Sequence, residues 1–330
     1  MTLQSGLVTT SRRVGVTAVH SVDRVVFTVP EIAPAEAFYT AFGLDVRRFD
    51  HAIDLYTHGH PHCWMTVVAN GQPKALQYVS FGIFAEDEDA FQQKITTLGI
   101  ACEPHPLATG AAGLWLRSPD GMPMQLVVAD KVSPSNKTPR HAERAPTRGT
   151  AAAQARSQAT PIFPRWLSHV LLFTPDVSAM LAFCDEVLGL KLSDRSGDVV
   201  AFMHTPHGSD HHLLAFVKSG GMGLHHTSWD VGSLDEVGEG SEQMRSAGFT
   251  EGWGVGRHVL GSNYFHYVRD PWGSFAEYSF DIDFVPASSD WVAGDYAPED
   301  SFYLWGPAVP EWFVMNTEKT VSSTPKSASA

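Results

Sequence analysis

The sequence predicts an α+β protein built from a repeated unit. Residues 21–46 resemble residues 166–192: in both, a short run rich in β-branched residues leads to a proline and then to an amphipathic stretch that ends at Gly43 or Gly189. Because glycine readily adopts the left-handed conformation that ends helices, each segment is predicted to be a strand followed by a helix. No GxGxxG motif follows a predicted strand, which argues against a dinucleotide-binding fold.

The repeat continues further along both halves of the chain. Residues 76–84 match residues 224–231, each followed by a second helix-like stretch, and residues 117–128 match residues 269–280. Each half therefore reads strand–helix–strand–strand–strand, twice over. We expect four βαβββ modules that form two curved, mixed, barrel-like sheets.

The composition changes between the two halves. Residues 131–165 are rich in Ala, Pro, Thr and Arg and lack a sustained apolar period, which is typical of a linker. The predicted organisation is an N-terminal paired domain (1–130), this linker, a C-terminal paired domain (166–290) and a tail (291–330). We expect the tail to pack in part on the C-terminal domain and its last residues to be disordered.

Composition excludes several classes of protein. The 330 residues are 43% hydrophobic and 18% charged, as in soluble globular proteins, and the net charge of −13 argues against a surface for nucleic acid or anionic membrane. No apolar signal core or 18-residue apolar run occurs. Three cysteines are too few and too scattered for a disulfide framework, so we expect a cytoplasmic protein with reduced thiols.

Comparison of the two halves locates a candidate metal site. Three positions of the second half carry two histidines and a carboxylate, namely His169, His226 and Glu277. The equivalent positions of the first half carry Asp23, Tyr78 and Gln125. Two imidazoles and a carboxylate can occupy one face of an octahedral Fe(II) and leave positions open. The second half alone is predicted to bind the metal.

Two histidine doublets remain ambiguous from strand periodicity. Neighbouring strand residues point to opposite faces, so His225 and His226 are expected on different faces of the sheet. The same ambiguity affects His211 and His212 in HHLLAF. Alternation does not say which face looks into a site.

The C-terminal half resembles a known enzyme family. LSHV, HHLLAF, GLHHTSWDV, GRHVLGSNYFHYVRDPWG and FAEY, within residues 166–286, resemble the catalytic half of the type I extradiol ring-cleavage dioxygenases of the vicinal oxygen chelate superfamily. The resemblance implies that the second histidine of the HH pair, His226, is the metal ligand. With His169 and Glu277 it would hold Fe(II), or Mn(II) as in some members.

The resemblance also implies the reaction and further site residues. The substrates would be a catechol and O2, and the product a muconic semialdehyde-type compound. His212 would act as general acid, while His258 and Tyr267 would hydrogen-bond the substrate oxygens. Secondary candidates are Asn263 and His266 in the same stretch and, for the pocket wall, Trp305 and Phe313 in the tail. Members of the family are often homo-oligomers, and we expect one here.

Two alternatives remain. A metal-dependent lyase or isomerase of the glyoxalase or epimerase kind would use Zn, Ni or Co on the same fold. Such sites usually draw four ligands from both paired modules, whereas the first half here supplies Asp23, Tyr78 and Gln125. A non-enzymatic drug-sequestering module would be a single small unit without the metal residues.

Overall fold

The structure, a computed structural model, describes residues 10–104, 112–141, 149, 151 and 153–318. Five α-helices occur within these ranges: α1 (Ile32–Ala41), α2 (Glu88–Thr97), α3 (Val177–Phe183), α4 (Leu234–Ser246) and the short α5 (Pro298–Ser301). Single 3₁₀ turns lie at Ala85–Asp87, Arg156–Gln158 and Glu311–Val314, and a π turn extends α3 over Cys184–Leu188.

The first half forms a seven-stranded mixed sheet. Its strands are β1 (Ser21–Val29), β2 (Asp45–Phe49), β3 (Ala52–Tyr56), β4 (Met65–Ala69), β5 (Ala75–Ile83), β6 (Leu114–Arg117) and β7 (Pro123–Val128). Their order is β2-β3-β4-β1-β5-β7-β6, so two modules lie side by side and meet where β1 pairs antiparallel with β5.

The second half repeats this arrangement in a ten-stranded sheet. Its strands are β8 (Leu167–Thr174), β9 (Lys191–Ser196), β10 (Val200–His204), β12 (Leu214–Lys218), β13 (Gly223–Asp230), β14 (Gly252–His258), β15 (Tyr264–Arg269), β16 (Phe275–Phe280), β18 (Gly294–Asp295) and β19 (Tyr303–Trp305). The order is β18-β9-β10-β12-β8-β13-β16-β15-β14-β19. A separate ribbon pairs β11 (Ser209–Asp210) with β17 (Phe284–Val285).

The predicted α+β class and modular repeat are confirmed. The central strands β8, β13 and β16 of the second sheet correspond to β1, β5 and β7 of the first, in the same order. Neither sheet closes into a hydrogen-bonded barrel among the described residues, so the sheets are open and curved. The second module of the first half contributes three strands within the described ranges, and residues 105–111 lie outside them.

Both predicted helix-ending glycines adopt positive φ. Gly43 follows α1 with φ +94°, and a Cβ at this position would lie 2.1 Å from the carbonyl oxygen of Ile162. Gly189 ends the π turn after α3 with φ +74°. Asp176 caps the start of α3 by accepting a hydrogen bond from the backbone N–H of Ala179 at 2.9 Å. The glycines therefore mark where the helical segments end, and the Asp176 cap marks where α3 begins.

The two halves share one apolar core. Tyr278 of β16 stacks on Phe42 at 4.0 Å between ring centroids, and its hydroxyl donates to the Phe42 carbonyl at 2.8 Å. Described residues of the 131–165 segment also pack on the protein: Ile162 is 5% exposed and belongs to the shared core, and Arg165 bonds Asp230 at 2.6 Å. Predicted disorder at the extreme C-terminus falls on residues 319–330, which lie outside the described residues. Within the described ranges, no helix is both long and apolar enough to cross a membrane.

Candidate metal centre

Three adjacent strands of the second sheet bring His169, His226 and Glu277 together. One ligand atom from each side chain lies within 4.8 Å of the other two. Glu277 Oε2 is 3.3 Å from His169 Nε2 and 3.6 Å from His226 Nε2. The register explains the convergence, because Ser228 of β13 stands opposite both His169 of β8 and Glu277 of β16, and His226 lies two residues along the same strand.

The donor atoms fit a divalent cation. All three side chains are at most 3% exposed, and His226 Nε2 and Glu277 Oε2 have no hydrogen-bond partner among the described residues. Leaving a buried polar atom without a partner costs about 1–3 kcal/mol, more for a charged group. Two imidazole nitrogens and one carboxylate oxygen around a common point are the ligand types of an N2O metal site.

Hydrogen bonds hold His169 in the tautomer that can bind a metal. Its Nδ1 lies 3.3 Å from the Ser168 hydroxyl, which itself donates to the Asp210 carboxylate at 2.8 Å. The hydroxyl oxygen therefore accepts from Nδ1–H of His169. The Nε2 lone pair is left facing Glu277 and His226, as a metal ligand requires.

The expected separation of His225 and His226 onto opposite faces is wrong at this point. A β-bulge interrupts the pairing of β13 with β8 between Leu224 and His226. As a result the Nδ1 atoms of the two rings lie 2.7 Å apart, and His225 packs against Phe275, which shares a strand face with Glu277. His225 is hydrogen-bonded, as expected, but next to the site rather than behind the sheet.

Burial and neighbouring groups control protonation. Burial, with a smaller contribution from His225, holds the pKa of His226 well below its usual value, so the ring is neutral and can coordinate. Burial acts to raise the pKa of Glu277, but its polar neighbours, His169 first among them, outweigh burial and leave the pKa lowered. The site therefore presents a neutral His226 and an ionised Glu277 carboxylate.

The three residues predicted to act on the substrate, His212, His258 and Tyr267, lie around the candidate metal ligands. The ring of His212 is 4.1 Å from that of His169 between centroids, and burial holds its pKa well below its usual value. On the other side, His258 Nε2 is 2.9 Å from the Tyr267 hydroxyl and 3.9 Å from Glu277 Oε1. All six predicted site residues thus converge in one place.

The His258–Tyr267 pair has a defined direction. His258 Nδ1–H donates to the Phe302 carbonyl at 2.8 Å, since a carbonyl can only accept. For the neutral ring, Nε2 is then the acceptor and the Tyr267 O–H the donor. Burial and the nearby Glu277 raise the pKa of Tyr267 well above its usual value, which keeps its proton in place. Burial also lowers the pKa of His258.

Asn263 occupies a more central position than the sequence suggested. Its amide nitrogen donates to Glu277 Oε1 at 3.1 Å and to the Ser279 hydroxyl at 3.0 Å, and the residue is 1% exposed. It therefore orients the carboxylate of Glu277. Sequence patterns alone gave no signal for this contact, because Asn263 lies at the end of a turn.

Of the other secondary candidates, one packs against a site residue and two lie away from the site. Phe313 is 3% exposed and packs 4.9 Å from Tyr267, so the tail does reach the site. Trp305 is 44% exposed and lies against Tyr264 on the sheet edge, away from the ligand set. His266 alternates with Tyr267 along β15 and so faces away from it.

Comparison with known proteins agrees with the fold. The sequence profile of the Glyoxalase/Bleomycin resistance protein/Dioxygenase superfamily matches residues 166–278. Two solved structures share the fold over most of their length: the Mn(II)-bound glyoxalase from Novosphingobium aromaticivorans (TM-score 0.69, 24% identity, 89% of this chain and 94% of that one) and homoprotocatechuate 2,3-dioxygenase from Arthrobacter globiformis (TM-score 0.71, 18% identity, 92% of both chains).

A relative with much higher sequence identity indicates the enzyme family within this superfamily. Metapyrocatechase 2 from Cupriavidus necator is 51% identical over 301 residues, which are 91% of this chain and 93% of the relative. The chain belongs to the extradiol ring-cleaving dioxygenase family of this superfamily, whose members are metal-dependent enzymes.

Proposed function

We propose that this protein is an Fe(II)-dependent extradiol dioxygenase. It cleaves the ring of a catechol next to its two vicinal hydroxyls with O2 and yields a muconic semialdehyde-type product. The observation that carries the proposal is the convergence of three buried donor atoms, from His169, His226 and Glu277, with His212 on one side and the His258–Tyr267 pair on the other. The 51% identity to a metapyrocatechase supports the choice of substrate class.

The three side chains are the candidate ligands of the metal. His169, His226 and Glu277 would hold an Fe(II), which would supply the redox chemistry for a reaction between a catechol and dioxygen. Mn(II) accepts the same donors, so iron is the proposed rather than the only compatible metal.

Tyr267 and His258 are placed to receive a substrate hydroxyl. Because the Tyr267 proton is donated to His258 Nε2, the phenolic oxygen keeps its lone pairs for a hydrogen bond from the substrate. This fixes the orientation of the catechol oxygens, and correct placement of reactants lowers the barrier. His212 stands against His169 on the other side of the set and would move the proton of the reaction as general acid–base.

Aromatic side chains form an apolar wall beside these groups. Trp253, Tyr267, Phe275 and Phe313 pack in one buried cluster, with Phe313 contributed by the tail. Such a wall suits an aromatic ring and excludes water from the reaction.

The lyase or isomerase alternative lacks support from the first half. Gln125 donates to the Ala112 carbonyl at 2.7 Å, and Tyr78 packs against Trp115 at 4.9 Å between ring centroids. Within the described residues, the only cluster of metal-ligand type is the one in the second half. The described residues therefore give no support for a metal site built from both halves.

The remaining assignments are also proposals. Residues 1–130 would form a non-catalytic domain, 131–165 a connecting segment, 166–290 the catalytic domain and 291–330 a tail that completes the site. The protein would act in the cytoplasm as a homo-oligomer.

The experiment combines metal analysis with a substrate panel. The protein is purified without oxygen, its metals are quantified, and catechol, 3-methylcatechol or 2,3-dihydroxybiphenyl is added with air. Close to one Fe per chain, oxygen uptake and a yellow product are expected, and the relative rates rank the substrates. Bound Zn or Ni without oxygen uptake would support the lyase or isomerase alternative, and failure to retain metal after Fe(II) reconstitution would contradict the ligand set.

A further inference from the structure

A second pair of buried residues lies directly behind His212. His211 Nδ1 is 3.0 Å from His212 Nδ1, and His211 Nε2 is 2.7 Å from Asp194 Oδ2. His211 is fully buried and Asp194 is 3% exposed. The other oxygen of Asp194 accepts the backbone N–H of Gly294 at 2.6 Å. The mechanism described above uses neither Asp194 nor His211.

The hydrogen-bond chain has one direction when both rings are neutral. A carboxylate only accepts, so His211 Nε2 carries the proton that it donates to Asp194. His211 Nδ1 is then unprotonated and accepts from His212 Nδ1–H. His212 Nε2 is left without a proton.

The His225–His226 doublet provides an internal comparison. There the two Nδ1 atoms also meet, at 2.7 Å, but the far nitrogen of His225 donates to the Phe313 carbonyl at 2.9 Å. A neutral carbonyl sets the tautomer of the metal ligand His226, whereas an ionisable carboxylate stands behind His212. A carboxylate has the additional effect of stabilising positive charge on the rings.

We propose that Asp194 and His211 are positioning residues that hold His212 with an unprotonated Nε2 facing the substrate. The inference rests on the proposed role of His212 in ring cleavage. Asp194 fixes the tautomer of His211, His211 fixes that of His212, and the ring of His212 is held in one orientation beside His169. His212 can then accept a proton from a substrate hydroxyl at Nε2 and return it later in the reaction.

The variant Asp194→Asn tests this chain. The Gly294 N–H requires an acceptor, so it keeps the amide oxygen of Asn, and the amide NH₂ turns towards His211 Nε2. An NH₂ group only donates, which moves the His211 proton to Nδ1 and leaves His212 protonated at Nε2. Replacing the carboxylate behind a catalytic histidine with an amide is known to install the wrong tautomer.

Kinetics and metal content are measured together in the full-length Fe(II) enzyme. We expect kcat to fall by about 10²- to 10⁴-fold, the usual range for general acid–base catalysis, with KM for catechol and bound Fe little changed. Asp295→Asn is the matched control, because exposed Asp295 also accepts a backbone N–H, from Gly197 at 2.8 Å, and a side-chain donor, Arg195. The control should keep wild-type kcat. A wild-type kcat in Asp194→Asn, or a loss of Fe that matches the loss of rate, would overturn the proposal.

A second readout does not depend on turnover. The ¹⁵N shifts of the histidine rings in full-length protein reconstituted with Zn(II) distinguish protonated from unprotonated nitrogens. His212 should carry its proton on Nδ1 in the wild type and on Nε2 in Asp194→Asn, with assignment by His212→Gln. Unchanged shifts would overturn the proposal even if kcat fell. Absence of ring cleavage by the wild-type Fe(II) enzyme would instead count against the proposed function, because the shifts would still report the chain.

Discussion

The Nδ1 atoms of His225 and His226 lie 2.7 Å apart, and the far nitrogen of His225 donates to the carbonyl of Phe313. The tail thus reaches the ligand set through two imidazole rings. His226 Nδ1–H is the donor in this chain, so its Nε2 lone pair is directed to the position shared with His169 and Glu277. One histidine would bind the metal, and its neighbour would hold it in the correct tautomer.

Because of this arrangement, replacing His226 and replacing His225 should weaken metal binding to different extents. His226→Ala removes a ligand and should abolish stoichiometric metal binding. His225→Ala removes only the group that orients His226, and it should weaken metal affinity by about 10- to 100-fold while metal still binds in excess. Competition with a chelator followed by metal analysis measures both. Equal losses in the two variants would show that His225 does more than orient its neighbour.

Asn263 should matter for metal affinity although it is not a predicted ligand. Asn263→Ala removes the amide that donates to Glu277 Oε1 and frees the carboxylate to rotate. Metal affinity is expected to fall by about 10- to 100-fold in the same chelator competition. Ser262→Ala is the control, because this neighbouring hydroxyl bonds Asp283 instead. An affinity unchanged in Asn263→Ala would show that the Asn263 amide is not needed to orient Glu277.

A buried ion pair anchors the tail to both halves. Glu318 accepts from Lys74 at 2.9 Å and from the backbone N–H groups of Leu76 and Leu224, and both charged side chains are at most 7% exposed. Glu318→Ala leaves Lys74 buried without its partner and should lower the free energy of unfolding by about 3–5 kcal/mol. Denaturant unfolding measures this change.

An exposed ion pair provides the control for Glu318→Ala, and a double variant tests whether stability can be recovered. Asp198→Ala breaks a solvent-screened pair with exposed Lys218 and should change the free energy of unfolding far less than Glu318→Ala does. The double variant Lys74→Met with Glu318→Leu removes both charges and should recover most of the stability lost in Glu318→Ala. Failure to recover would point to the backbone contacts of Glu318, rather than its charge, as the main contribution.

Acid should destabilise the protein through buried His20. Burial lowers the pKa of His20 to about 3, so between pH 6.5 and 3 the unfolded chain binds a proton that the folded chain does not. Stability therefore rises with pH across this window and is lost as the pH falls, by about 1.4 kcal/mol per pH unit for this group. His20→Gln should flatten the dependence in urea unfolding between pH 4 and 6.5. A slope in His20→Gln equal to that of the wild type would contradict the assignment.

Sequence alone predicted the features that depend on local or repeated patterns. The glycines that end the helices, the order of the modules and the candidate ligand positions followed from comparing the two halves, because a duplicated fold places equivalent residues on equivalent strands. His212, His258 and Tyr267 followed from family resemblance rather than from residue patterns.

The remaining features depend on contacts between distant segments. The bulge at His225 breaks the alternation that the sequence implies, and nothing in the local pattern marks it. Lys74 and Glu318 meet across 244 residues of chain, and Asp194 meets His211 through sheet packing. Periodicity carries no information about such pairs, since it describes which face a residue occupies and not what lies opposite.

The most direct test of the account is the stoichiometry of the reaction in Fe(II)-reconstituted protein. An oxygen electrode and absorbance together follow O2, catechol and product, in the wild type and in His226→Ala. We expect the wild type to consume one O2 for each catechol and to form a yellow product, and we expect neither change in the variant. Product formation without O2 uptake, or equal turnover by His226→Ala, would contradict the account.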